Sequence, residues 1–177
     1  MIRASCQSDL PLFSFDMYEV LEEAKGKFTD KVFNPVDVFI IKQATLACIQ
    51  MDGTRQAISL HRLLNHCETP REIIKFIFIH ELIHIIIPSE LNGGKIVMHT
   101  VKFWEEEKRI IPERNLYWGW MYFHFFPLFR KEKESEGIFI RRGWEKTMAH
   151  SRLSLQGYLD LGKVLNENQN STMAQGL

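Results

Sequence analysis

At 177 residues the chain has the length of one domain and enough material for a real core, and a hydrophobic share of 45% is ordinary for a globular protein. Lys+Arg and Asp+Glu balance at 22 each, so charge makes no case for nucleic acid or an anionic membrane as partner. Cys6, Cys48 and Cys67 are scattered without a CxxC pair, which argues against a disulfide framework or a cysteine-built zinc ribbon and for free thiols in a reducing, cytoplasmic setting.

In chain order, the N-terminal MIRASCQSDLPLFSF lacks the apolar run of a signal peptide. Residues 16–28, DMYEVLEEAKGKF, place Met17, Val20, Leu21, Ala24 and Phe28 at helical spacing, with Asp16 as N-cap and Glu19 completing a capping box. PVDVFIIK, β-branched and aromatic behind Pro35, reads as a strand. TLACIQM and RQAISL flank Asp52-Gly53, a hairpin signal. Two or three strands, at least partly antiparallel, are therefore expected between 36 and 60, within a small, mainly antiparallel sheet overall.

Thr69-Pro70-Arg71-Glu72 reads as a helix start, with threonine as cap, proline at the first helical position and glutamate completing the box. Pro88 stops the helix after about 18 residues, or about 27 Å. It has hardly any polar stripe and is expected to be buried all round. The greasy part, 73–87, carries Lys75, His80, Glu81 and His84 and is too short and polar to span a bilayer. SELNGG, 89–94, reads as a loop, and 98–111, MHTVKFWEEEKRII, as another helix. Pro112 can open a further helix through LYWGWMYFHFFPLF. The charged RKEKESE, then GIFIRRGW, and a short helix around 147–162 follow. The expected class is α+β: one domain over 1–163, then a polar, disordered tail over 164–177.

The chemistry concentrates in HELIH, residues 80–84. Residues four apart stack on one helix face, so His80 and His84 can offer two imidazole nitrogens to one metal ion. Glu81 then lies beside the pair, as in the HExxH arrangement in which two histidines bind zinc and the glutamate is general base. The bland alternative keeps both histidines as hydrogen-bonded core groups and Glu81 paired, which is expensive in so apolar a helix.

A catalytic zinc needs a third protein ligand and an open position. Two candidates lie downstream: Glu90, just past Pro88, and His99, beyond Gly93-Gly94. Imidazole is the commoner ligand and a Gly-Gly turn lets the chain fold back, which favours His99 and leaves Glu90 a solvated loop residue. Glu105, Glu106 and Glu107 read as a wet helix face from which one can orient a histidine. His61, His66 and His150 read as surface or capping residues.

His80-Glu81-x-x-His84, a gap of fourteen residues, then His99-Thr-Val-Lys-Phe103-Trp104, resembles the SprT-like zinc metallopeptidases and their YgjP-like relatives. In these a third histidine follows a loop and an aromatic sits four residues beyond it. AISLHRLL also looks like their strand leading to the active-site helix. The match covers roughly 55–110. The resemblance implies a zincin-like fold, one zinc ion on His80, His84 and His99, and hydrolysis of peptide bonds with Glu81 activating the zinc-held water. It further implies an extended peptide or protein substrate paired to an edge strand from the 45–60 region. Tyr117, Tyr122 and His124 are candidates for stabilising the oxyanion. Two other readings stand beside this one, a non-catalytic interaction module stabilised by metal and a zinc hydrolase with a non-peptide substrate. An intact Glu81 favours catalysis, since a structural site has no use for a base.

Overall fold

The computed structural model describes residues 9–43 and 45–125. Cys6, His150, GIFIRRGW, the helix around 147–162 and the tail from 164 lie outside the described residues, as does the domain boundary at 163.

The first helix, α1 (Met17–Lys25), begins where expected, with Asp16 Oδ1 accepting from the Tyr18 and Glu19 amides at 2.7 and 3.4 Å. It ends before Gly26, short of Phe28, and buries Met17, Val20, Leu21 and Ala24. Three strands follow: β1 (Val36–Ile41), β2 (Ala47–Asp52) and β3 (Arg55–His61). Gly53, at φ 60°, takes the first position of a two-residue turn that joins β2 and β3 antiparallel. The sheet order is β1-β3-β2, with β1 parallel to β3. It is thus a mixed sheet, not the mainly antiparallel one expected. The hairpin signal sets only the β2–β3 pair. The side on which β1 adds is set by burial: in β3 every residue from Gln56 to His61 is buried, so β3 takes the centre, while β2 ends in exposed Gln50, Met51 and Asp52 and takes an edge.

The apolar helix α2 (Arg71–Ile86) lies against α1 and β2. Its start differs from expectation. Thr69 does not cap it; Pro70 takes the cap position, and the Thr69 side chain turns back to donate to the Leu64 carbonyl at 2.7 Å. Pro70 is extended, its carbonyl accepting from the Ile73 and Ile74 amides. The helix stops one residue before an extended Ile87, as the clash imposed by Pro88 requires. Eleven of its sixteen residues are buried.

A bidentate pair ties α1 to the start of α2. Arg71 Nη1 and Nη2 donate to Glu23 at 2.9 and 2.6 Å, and Lys75 Nζ adds a contact at 2.9 Å. The Arg71 hydrogen bond, with help from Lys75, lowers the Glu23 carboxyl from 4.5 to about 2. A folded-state pKa below the unfolded one contributes stability that is complete above about pH 4.5 and lost as pH falls toward 2. With the side chain 41% exposed, screening limits this to about 0.5–1 kcal/mol. Glu23→Gln is expected to lower the urea midpoint at pH 7, with the gap from the unsubstituted chain closing between pH 4.5 and 2.

Residues 89–94, read as a loop, contain half of a small hairpin. Strands β4 (Glu90–Asn92) and β5 (Lys95–Val97) pair antiparallel around Gly93 and Gly94, at φ 56° and 76°. Two successive positive φ values define the tight turn that glycine alone adopts without cost, and it reverses the chain between His84 and His99. Helix α3 (Val101–Ile110) starts behind Thr100, whose hydroxyl accepts from the Phe103 amide at 3.3 Å. Helix α4 (Arg114–Trp120) starts two residues beyond Pro112 and runs into a wider turn over Met121–Phe125. No described helix is long and apolar enough to cross a membrane.

Candidate metal centre

Helical spacing on α2 sets His80 and His84 on one face, as expected, their rings 5.2 Å apart between centroids. The β4–β5 hairpin and the Thr100 cap bring His99 to the same point from outside α3. Its Nε2 lies 3.0 Å from His80 Nε2 and 3.1 Å from His84 Nε2. Among the described residues these three are the group whose ligand atoms all fall within 4.8 Å of one another. Glu90 is not part of it; it is exposed on β4 and faces Lys102 at 3.8 Å. His61, expected at the surface or as a cap, is buried and caps a short turn through Nδ1, which accepts from the Leu63 amide at 3.1 Å. His66 is exposed.

The three nitrogens cannot satisfy one another. An imidazole nitrogen carries either one proton or one in-plane lone pair, so His99 Nε2 can form one well-directed hydrogen bond, not two. A cation at the centre removes the conflict, since all three rings then present lone pairs to it. Tetrahedral geometry with Zn–N near 2.05 Å puts ligand nitrogens ~3.3 Å apart, close to the spacings found.

The surroundings favour positive charge there. His80 Nδ1 donates to Glu107 Oε1 at 2.7 Å, which leaves the Nε2 lone pair facing His99. Glu107 is thus the member of the 105–107 run that orients a histidine, and it is fully buried rather than on a wet face. Burial works against a charged His80, but the Glu107 hydrogen bond and the charges of Glu107 and Glu81 outweigh it and raise its pKa. Burial works to raise Glu107 too, yet the hydrogen bond from His80 and that residue's charge outweigh it and hold the carboxyl below its usual range. His84 is lowered to about 3, by burial first and then by repulsion from His80 and His99, so it stays neutral and ligand-competent.

Glu81 turns toward the sheet. Burial pushes its carboxyl up to about 7 against the His80 charge and a backbone hydrogen bond from Ile49 of β2. With the β2–β3 turn closed by Asp52 and Arg55, hydrogen-bonded pairs alternate along the ladder, as the bond from the His61 amide to the Leu46 carbonyl at 2.8 Å attests. Ala47, Ile49 and Met51 therefore turn their backbone groups away from β3, and Glu81 meets the outer edge of β2. Cys48 on this strand has its thiol raised by burial and by Glu81, and among the described residues Cys48 and Cys67 are free thiols.

An aromatic wall completes the site. Phe103, fully buried, lies 4.9, 4.4 and 4.7 Å from the rings of His80, His84 and His99, and Trp104 stacks on His99 at 5.0 Å. Phe103→Ala is expected to cost about 3–5 kcal/mol, read as a lower urea midpoint, because it opens a cavity behind all three rings. Sequence reading missed Arg114 and Trp118, whose Nη1 and Nε1 donate to Glu107 Oε2 at 3.1 and 3.4 Å. Their four-residue spacing was the available signal, but nothing in it named a partner across the α3–α4 break. Tyr117 stacks on Phe76, with its hydroxyl raised by burial and by Glu72 and Glu113, which places it toward the start of α2. His124 stacks on Trp120, and Tyr122 packs edge-on to Phe123. These contacts bring none of the three to the imidazole cluster.

No protein-family model matches the chain, and no curated protein matches it.

Proposed function

We propose that the chain is a zinc-dependent metallopeptidase of zincin-like fold, similar to the SprT-like enzymes, acting on extended peptide segments. The observation that carries this is the convergence of three imidazole nitrogens beside a buried glutamate that reaches the edge of a sheet. His80, His84 and His99 hold the ion, with Glu107 orienting His80. Among the described residues three protein ligands would hold the ion, one fewer than in a structural site, which would leave room for water. The bound ion supplies Lewis acidity, which lowers the pKa of water and polarises a carbonyl.

Glu81 is the general base. Its carboxylate takes the proton of the attacking water and delivers it to the leaving amine. A group raised to about 7 by burial suits both transfers near neutral pH. The β2 edge supplies main-chain partners for an extended substrate strand, laying its carbonyls along the line from Ile49 toward Glu81. The three-ligand set and a base at this edge favour this reading over a metal-stabilised interaction module. The test is incubation of the zinc-loaded chain with an unstructured protein such as casein, with mass-spectrometric detection of new N-termini. Zinc bound at full occupancy with no cleavage of any extended substrate counts against it.

A further inference from the structure

We infer that Arg114, on α4, is a positioning residue that holds two of the three imidazoles at once; the inference rests on the metal-site reading above. Its Nη1 donates to Glu107 Oε2 at 3.1 Å and to the Trp104 carbonyl at 2.9 Å. The guanidinium carbon also lies 5.5 Å from the centre of the Trp104 ring. Each contact leads to a different ligand. Glu107 takes the Nδ1 proton of His80 at 2.7 Å, and Trp104 stacks on His99 with 27° between planes.

The geometry explains why one side chain has this reach. A carboxylate held through one oxygen turns freely about its last torsion, and an imidazole hydrogen-bonded to it turns with it. In Glu107, Oε1 faces His80 while Oε2 is fixed by Arg114 and by Trp118 Nε1 at 3.4 Å. With both oxygens anchored, the plane of the carboxylate is set, and so is the direction of His80 Nε2. The bond to the Trp104 carbonyl joins α4 to α3 at the turn whose side chain backs His99. Arg114 and Trp118 sit one turn apart on α4, and Trp118 is also edge-on to His80 at 5.5 Å. An element beyond the ligand-bearing segment therefore sets the aim of the ligands.

Zinc affinity is measured by chelator competition on the full chain and on Arg114→Met, Arg114→Lys and Trp118→Phe. Arg114→Met is expected to bind roughly tenfold to a hundredfold more weakly, with Arg114→Lys recovering part of the loss and Trp118→Phe losing a few-fold. In the metal-free chain, at a pH high enough that His80 is neutral, imidazole 15N shifts should give it as one tautomer, protonated at Nδ1, and Arg114→Met should give a mixture; a role in fold stability alone would not move that signal. Unchanged affinity in both Arg114→Met and Trp118→Phe, with zinc bound normally by the unsubstituted chain, overturns the inference. If Arg114→Met does not fold, Trp118→Phe decides by the same criterion. Failure of the unsubstituted chain to bind zinc instead overturns the metal-site reading itself.

Discussion

His99→Ala is expected to abolish tight zinc binding while leaving the fold intact. His99 is exposed and lies outside both flanking helices, so its ring contributes little to the core. Losing one of three ligands should weaken zinc on the order of a thousandfold, if each ligand carries a comparable share of a typical protein–zinc affinity. The unsubstituted chain at a free zinc concentration a thousand times Kd gains about 4 kcal/mol, a rise in melting temperature on the order of 10 °C. The variant should show no such rise. Scanning calorimetry with and without zinc reads both, and equal metal responses in the two proteins would remove His99 from the site. His80→Ala is a less clean probe, because it leaves the buried Glu107 carboxylate without its imidazole partner and costs about 1–3 kcal/mol by that alone.

Glu81→Gln is expected to keep one zinc per chain and to lose about two to four orders of magnitude in turnover, the share assigned to a positioned general base. Glutamine is nearly isosteric and keeps an oxygen to accept from the Ile49 backbone, so the contact between α2 and β2 survives. The pH–rate profile provides a second check. Glu81 works only as carboxylate, so activity should rise with pH through its titration, at or below about 7 because a nearby cation favours the charged form. Loss of zinc and fold together in Glu81→Gln would show that the residue is structural. Retained turnover would assign the base elsewhere.

How far the sequence could be read depended on the range of each interaction. Asp16 as a cap, the Asp52-Gly53 reversal and the break at Pro88 were legible because each involves atoms within a few residues. Thr69 misled for the same reason in reverse. It has the chemistry of a cap, but the helix starts one residue later, behind Pro70, and the hydroxyl turns back to a carbonyl five residues earlier; no local rule sets that direction. The pairing of His80 with His84 was legible from helical period alone. The choice of His99 over Glu90 rested on ligand chemistry and a Gly-Gly reversal, and the β4–β5 hairpin is the device by which that reversal is made.

The sequence by itself determined the cap of α1, the Asp52-Gly53 reversal and the end of α2, that α2 is buried, and that two histidines and a glutamate lie together on it. These follow from period, capping and backbone sterics, which act over a few residues. Tertiary structure alone decided that β1 joins β3 in parallel, that β2 is an edge strand of the sheet among the described residues and meets Glu81 there, and that Glu107, rather than either neighbour, holds His80. It alone brought Arg114 and Trp118 to Glu107 across a helix break. Those outcomes depend on which surfaces are buried together and on where a buried carboxylate finds donors, and both are set by the packing of elements distant in the chain.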